Sequence, residues 1–411
     1  MSSAVRRPAL RAALCTIALI VAGVLAACSP GSSPTPTAGT LPPRPAPATP
    51  NIITPTSPLR QPLATAAATA VTLPATPTTT RPAASATPAR VASPSNEFTP
   101  RLAKLTRDGC CAYPQWLNDG SGVYYYGAEG TAGGQVATWA LKVQGGAHYL
   151  LSDLFGAFSP DQQLVAYPNG RETWIARLDG TPVGAVRNGA VRVFFSPQSD
   201  HVAWLAPATD VDRAPYDLEQ PARVTVARVD GGDVRILPPV VRTEGLQWFP
   251  DGRRILINGR DGAGENPGLY ILDTVTGTVT RIVSSRSLES VSISPDGQTI
   301  VYVATLQPDA SANGIWAIDP AGGNRRKLAF SGGYRWAPDS QGLVYIPAPS
   351  SLATDELWHY RLSDGSQTAL VSVRQVAFFV AGDDWELAPQ GDAIVFRSAI
   401  DGAIYTLRFR P

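Results

Sequence analysis

Short apolar segments separated by turn residues recur along the chain from about residue 98 onward, as in Ile300-Val301-Tyr302-Val303 and Leu343-Val344-Tyr345-Ile346. Segments of this length and composition predict β-strands, and no useful helical periodicity appears after residue 97. These segments are apolar throughout instead of alternating with polar residues. Continuous apolar strands indicate that both faces of their sheets are buried.

One phrase, an apolar residue followed by a turn of the Pro-Asp-Gly type, occurs seven times. Its first turn residue falls at Asn118, Pro160, Pro197, Pro250, Pro295, Pro338 and Pro389. In such a turn Pro presets φ, Asp hydrogen-bonds the turn backbone and Gly accepts a positive φ. Four-stranded repeats of about 40 to 50 residues are typical of propeller blades. We therefore predict an all-β fold, a seven-bladed β-propeller over residues 98–411.

Two features bear on the blade count. Asn118 replaces the turn proline of the first unit, and Gln198-Ser199 replace Asp-Gly in the third, so a six-bladed ring stays open as the alternative. The last unit stops after its third strand, while residues 101–106 resemble the fourth strand around Arg326-Lys327-Leu328-Ala329. We predict that residues 101–106 complete the last blade and close the ring.

The repeats resemble those of the TolB-type (WD40-like) β-propeller family. In that family a Ser-Pro-Asp-Gly turn, as at residues 294–297, precedes an apolar strand and then an Ile-Tyr or Ile-Trp strand. The resemblance covers roughly residues 101–411 and is weakest in the first and third units. It implies a propeller that makes protein contacts within cell-envelope complexes.

The N-terminus has the plan of an export signal. Three arginines precede an apolar run over residues 12–25, too short to span a bilayer, and the run ends in Leu25-Ala26-Ala27-Cys28. This tetrapeptide resembles the lipobox of bacterial lipoproteins, which implies a signal peptide over residues 1–27 and a diacylglycerol on Cys28. An ordinary signal peptide is the alternative, and export by the general or the twin-arginine route is open. We expect the protein on the outer face of the cell membrane, or in the periplasm, anchored by lipid.

Residues 28–97 differ in composition from the rest of the chain. Residues 29–96 hold 16 of the 38 prolines and no acidic residue, and every Trp, Tyr and Phe comes after residue 97. Too few apolar residues are present to offset the entropy of ordering, which predicts a disordered linker with polyproline character. The linker is either a bare spacer or an O-glycosylated stalk.

The remaining composition excludes several classes of function. A net charge of +1 leaves no electrostatic footprint for nucleic acid. There is no Gly-x-Ser-x-Gly elbow, and the three histidines, His148, His201 and His359, occupy different places in the repeat. We therefore expect no enzyme activity, no cofactor and no metal, and a monomer.

Binding residues are expected on the loops, because loops on a rigid scaffold commonly carry binding functions. The candidates are acidic loop residues and a neighbouring tryptophan: Asp210, Asp212, Asp261, Glu265, Asp383, Asp384 and Trp385. Cys110 and Cys111 lie on a crossing between blades and could form a vicinal disulfide or stay as free thiols. The predicted function is a non-catalytic envelope module that binds a protein or glycan, the alternative being an envelope hydrolase or lyase acting on glycans or peptides.

Overall fold

The fold is that of a β-propeller, seen in a computed structural model that describes residues 98–128, 136–207, 222–237, 242–260, 267–285, 287–348 and 354–410. Within these ranges the chain forms seven four-stranded antiparallel sheets. The prediction of seven blades is confirmed, and the six-bladed alternative is wrong. None of the described residues forms a helix long and apolar enough to cross a membrane.

Strand β1 (Arg101–Lys104) comes before the blades in the chain, and each of the first four blades then contains four consecutive strands. Blade 1 comprises β2 (Cys111–Trp116), β3 (Gly122–Gly127), β4 (Ala137–Lys142) and β5 (Tyr149–Ser152). Blade 2 comprises β6 (Ala157–Phe158), β7 (Leu164–Asn169), β8 (Glu172–Arg177) and β9 (Pro182–Arg187). Blade 3 comprises β10 (Phe194–Phe195), β11 (His201–Pro207), β12 (Ala222–Arg228) and β13 (Arg235–Ile236). Blade 4 comprises β14 (Arg242–Trp248), β15 (Arg254–Arg260), β16 (Pro267–Asp273) and β17 (Val279–Ser284).

The last three blades follow the same plan, except that the fourth strand of blade 7 is β1. Blade 5 comprises β18 (Ser287–Ile293), β19 (Ile300–Thr305), β20 (Gly314–Ile318) and β21 (Arg326–Lys327), with a short 3₁₀ helix (Ala310–Ala312) between its second and third strands. Blade 6 comprises β22 (Gly332–Trp336), β23 (Gly342–Pro347), β24 (Leu357–Arg361) and β25 (Gln367–Val371). Blade 7 comprises β26 (Val380–Leu387), β27 (Ala393–Ser398), β28 (Ile404–Arg408) and β1.

The first strand of each blade is its inner strand, since first strands of neighbouring blades contact one another, as β26 does with β2 and with β22. Because neighbouring strands run antiparallel, successive connections alternate between two faces of the ring. The turns between first and second strands, and between third and fourth strands, share one face, which we name the turn face. The loops between second and third strands, and the crossings between blades, share the opposite face, which we name the loop face.

Apolar side chains pack mainly between blades. Six clusters of buried residues each combine side chains from two neighbouring blades, for example Leu205 and Val226 of blade 3 with Trp248 and Ile257 of blade 4. The second strands carry much of this core, and Val123, Ile255 and Ile300 are fully buried. Burial on both faces of each sheet is the reason that these strands are continuously apolar.

Strand β1 closes the ring. It pairs antiparallel with β28, with Arg101 opposite Arg408 and Lys104 opposite Tyr405. Just beyond β1, the Ile404 amide donates to the Thr106 hydroxyl over 2.8 Å, and Thr106 is buried. The predicted closure by residues 101–106 is therefore confirmed.

Candidate functional site

More exposed apolar side chains lie on the loop face than on the turn face. Among the residues described, twelve large hydrophobic side chains are exposed, and half of them lie on this face: Tyr113, Val136, Phe155, Leu306, Phe379 and Ile400. Tyr113, Leu306 and Ile400 are 64%, 76% and 79% exposed. The others lie on outer strands or on the turn face. Single exposed apolar residues are common on protein surfaces, but several on one face are a feature of interaction sites.

Bulges interrupt four inner strands in the parts of the chain that the structure describes. They fall between Ala112 and Gln115 in blade 1 and between Val380 and Trp385 in blade 7, with others in blades 4 and 5. Tyr113, at the first of them, has a φ of +53°, a conformation that few tyrosines adopt. Bulges of this kind redirect side chains and are common beside binding sites.

Two of the predicted site residues, Asp383 and Asp384, lie in the blade 7 bulge and point to opposite sides of β26. The Asp383 carboxylate accepts from the Trp385 indole over 2.8 Å and pairs with Arg335 of blade 6 over 3.1 Å. The Asp384 carboxylate accepts from Arg397 over 3.1 Å and from the Tyr113 amide of blade 1 over 3.4 Å. Asp383 and Asp384 therefore join blade 7 to both of its neighbours.

Arg335 holds the blade 6 side of this arrangement. Its guanidinium donates to the Trp385 carbonyl over 2.8 Å and to the Asp383 carbonyl over 2.9 Å. It also stacks 4.5 Å from the centre of the Trp385 ring. Trp385 itself is 2% exposed, so this predicted site residue packs in the core and supports the site from behind.

The cysteine pair lies beside Tyr113. Cys110 and Cys111 form a disulfide, and Cys111 packs in the cluster shared by blades 1 and 7. A Cβ at Gly127 would lie 3.1 Å from the Cys111 sulfur, so the disulfide packs closely against the neighbouring strand there. The disulfide thus fixes the first residue of β2, two positions before the exposed ring of Tyr113.

Burial changes the acidity of two carboxyls on β26. Burial raises the pKa of Asp384, although the Tyr113 amide and the positive charge of Arg397 oppose the rise. Burial also raises the pKa of Glu386, with Arg335 opposing and Asp384 adding to the rise. Carboxyls with raised pKa values are concentrated at functional sites, although structural networks produce them too.

Five predicted site residues lie outside the described residues: Cys28, Asp210, Asp212, Asp261 and Glu265.

The three histidines are on different blades. His148 hydrogen-bonds Tyr125 in blade 1, His201 lies 2.9 Å from Asp200 in blade 3, and His359 is in β24 of blade 6, where burial lowers its pKa. Across the described ranges, no three His, Cys, Asp or Glu side chains are grouped as metal ligands would be.

Sequence reasoning singled out Asp383 and Asp384 but missed Tyr113, Arg335 and Arg397, which pair with them. A signal for Arg335 exists in the repeats. It comes directly before Trp336-Ala337-Pro338, in the position that Glu386 holds before Leu387-Ala388-Pro389. Comparing this position between units would have identified both residues as neighbours at the centre of the ring.

The propeller is similar to several solved structures. The oligogalacturonate lyase of Vibrio parahaemolyticus is 14% identical, with a TM-score of 0.56 over 76% of this chain and 97% of that chain. An oligogalacturonate lyase in complex with manganese is 16% identical, with a TM-score of 0.55 over 76% of this chain and 98% of that chain. TolB from Acinetobacter baumannii is 16% identical, with a TM-score of 0.40 over 72% of this chain and 78% of that chain.

No protein-family model and no curated protein matches the chain. At these low identities the similarity to the lyases concerns the fold alone, because propellers of one architecture serve many unrelated functions. The similarity to TolB is too distant to support any argument about this chain. The comparisons thus agree with the structure on one conclusion, that the chain is a β-propeller.

Proposed function

We propose that the chain is a non-catalytic binding module of the cell envelope. In this proposal a lipid on Cys28 anchors it at the outer face of the cell membrane or in the periplasm, and the loop face binds a protein or glycan. The observation that carries the proposal is the group of exposed apolar side chains on the loop face. Aromatic anchors held rigidly beside charged groups are typical of binding surfaces.

The test of the loop face uses the full-length protein as bait on intact cells and on a glycan array. Tyr113→Asn combined with Ile400→Ser removes two exposed loop-face side chains, and Asn tolerates the positive φ at position 113. The matched control is Val275→Ser, since Val275 is 68% exposed on the turn face. We expect the double variant to lose the bound partner and the control to keep it. Equal capture by both variants would disprove the role of the loop face.

The anchor has its own test. Replacing Cys28 by Ala removes the only sulfur in the Leu-Ala-Ala-Cys motif that can accept the lipid. We expect the variant to lose metabolic labelling with a fatty acid and to leave the membrane fraction. Continued labelling of Cys28→Ala would rule out lipidation at this residue.

An envelope hydrolase or lyase is the second candidate, and one observation favours it. Asp384 and Glu386 are two carboxyls with raised pKa values, two residues apart on the side of β26 that faces blade 1. A carboxyl with a raised pKa can act as a general acid near neutral pH. Turnover of an envelope glycan or peptide that disappears in a folded Glu386→Gln variant would favour this candidate over the binding module.

A further inference from the structure

One layer of residues lines the centre of the ring. It consists of the second-to-last residue of each inner strand: Gln115, Ala157, Phe194, Gln247, Ser292, Arg335 and Glu386. All seven keep part of their surface exposed, although they lie in the middle of the molecule. We name these residues the channel layer.

Four polar members of the channel layer use their side chains within the protein. Gln115 accepts from the Tyr124 hydroxyl, and Gln247 accepts from the Ile293 amide of the next blade over 3.2 Å. Ser292 accepts from the Trp336 indole of the next blade over 2.9 Å. Arg335 donates to the Trp385 carbonyl, also in the next blade. Each of these four side chains is therefore engaged in a hydrogen bond within the protein.

Glu386 differs from them. Its backbone carbonyl accepts from the Trp116 indole over 3.3 Å, but no hydrogen bond or ion pair from any described residue reaches its carboxylate. Glu386 is partly buried, and a partly buried carboxylate without a partner is costly to keep. A ligand that supplies the missing partner would remove this cost.

The hydrogen-bond donors near Glu386 already bond other groups. Arg335 is engaged with Asp383 and the Trp385 carbonyl, and Arg397 with Asp384. The Tyr124 hydroxyl donates to Gln115. A ligand that satisfies Glu386 must bring its own donors, and a positive charge would give the strongest hydrogen bond.

The position of Glu386 suits a long side chain that enters from the loop face. Tyr113 and Asp384 meet nearer that face, and Glu386 lies two residues further along β26. At about 3.3 Å per residue, this places it roughly 7 Å deeper. That depth matches the reach of an extended lysine or arginine side chain.

We propose that the Glu386 carboxylate binds the ammonium or guanidinium group of a lysine or arginine that a protein partner inserts from the loop face. The proposal rests on the function proposed above and narrows its ligand to a protein with a basic anchor residue. Tyr113, Phe379 and Ile400, exposed on the loop face of blades 1 and 7, would pack against the residues around that anchor. A buried charged anchor within an apolar surround is the arrangement of an interface hot spot.

The test measures binding of small probes to the full-length protein by saturation-transfer NMR. The probes are N-acetyl-arginine amide, N-acetyl-lysine amide and the uncharged N-acetyl-citrulline amide. Glu386→Gln removes the charge and keeps the shape. Glu289→Gln is the matched control, because Glu289 is also an inner-strand carboxylate but already bonds Ser287 and Thr305.

We expect the arginine and lysine probes to bind the wild type and Glu289→Gln, with at least tenfold weaker binding to Glu386→Gln. The citrulline probe should bind none of them measurably. A cooperative thermal transition of Glu386→Gln at or above the wild-type midpoint shows that the variant is folded.

Three outcomes would overturn the proposal: no binding of either cationic probe to the wild type, equal binding to Glu386→Gln, or equal binding of citrulline. The loop-face experiment separates these from failure of the proposed function. A partner lost with Tyr113→Asn/Ile400→Ser but kept with Glu386→Gln would leave the binding module standing without a basic anchor.

Discussion

Three acidic residues of β26 occupy three different environments within four positions of the strand. Asp383 is exposed and paired with Arg335, and Asp384 is largely buried and bonded to Arg397. Glu386 is enclosed near Asp384, Arg335 and Tyr124 without a partner for its carboxylate among the described residues. Residue type alone therefore does not distinguish these carboxyls, whereas their surroundings do.

The raised pKa of Glu386 predicts a pH dependence of stability. Because the folded state binds the Glu386 proton more tightly than the unfolded state, this residue's contribution to stability is greatest at low pH. It declines as pH rises from the ordinary glutamate pKa, about 4.3, to the raised value in the fold. Glu386→Gln removes this decline, so we expect the variant to be at least as stable as the wild type at neutral pH.

Urea unfolding between about pH 4 and pH 8 measures the effect. The difference in unfolding free energy between Glu386→Gln and the wild type should grow in favour of the variant as pH rises. Parallel curves for wild type and Glu386→Gln would show that the carboxyl titrates normally.

At the scale of the element, the turns of neighbouring blades are bonded to one another. Gln198 of blade 3 donates to the Pro250 carbonyl of blade 4 over 3.1 Å, and Gln390 of blade 7 donates to the Asp119 carbonyl of blade 1 over 3.1 Å. Asn118 of blade 1 donates to the Pro160 carbonyl of blade 2 over 2.6 Å. Residues that depart from Pro-Asp-Gly thus connect the blades.

Gly252 tests this connection. It has a φ of +66°, and a Cβ there would come within 2.0 Å of the Gln198 side-chain oxygen. Gly252→Ala forces Gln198 away from Pro250, so we expect a loss of about 1–2 kcal/mol in unfolding free energy from backbone strain and the broken hydrogen bond together.

The matched control is Gly170→Ala, since Gly170 has the same φ of +66° but a Cβ added there would have nothing within 4 Å of it. It should show the backbone cost alone, about 1 kcal/mol or less. Adding Gln198→Ala to Gly252→Ala should not destabilise further, because the bond is already lost. Equal effects of the two glycine substitutions would mean that the contact between the turns contributes nothing.

At the scale of the whole molecule, the ring closes through residues far apart in sequence. Strand β1 is the outer strand of blade 7, and Lys104 pairs with Asp401 over 2.7 Å. Burial alone would raise the pKa of Asp401, but hydrogen bonds from Lys104 and Tyr405 hold it below its usual range. Closure of this kind leaves blades 7 and 1 as close neighbours, which the site at their junction requires.

Deleting residues 98–107 removes β1 and Thr106, and should lower the free energy of unfolding by about 2–4 kcal/mol from the lost strand hydrogen bonds. Thermal unfolding monitored by circular dichroism provides the measurement. The control is a deletion of equal length, residues 60–69, within the predicted linker, which should leave the midpoint unchanged. An unchanged midpoint for the 98–107 deletion would show that the ring is stable without β1.

The repeats by themselves determined most of the fold. Turn residues such as Pro295-Asp296-Gly297 and apolar strands such as residues 300–303 are local signals. The φ preferences of a turn and the burial pattern of a strand depend on consecutive residues alone. Even the closing strand was predictable, because residues 101–106 share the composition of other fourth strands. Units with Asn118 or Gln198 were harder to recognise, since those residues serve contacts with another blade.

The arrangement of the candidate site, in contrast, is determined by the tertiary structure. Asp383 and Asp384 stand out in the sequence as adjacent acids, but nothing there indicates that one faces Arg335 and the other Tyr113. That no described residue bonds the Glu386 carboxylate likewise depends on how blades 6, 7 and 1 pack together. Strand formation depends on neighbours along the chain, whereas the charge balance at the centre of a propeller depends on residues that only ring closure brings together.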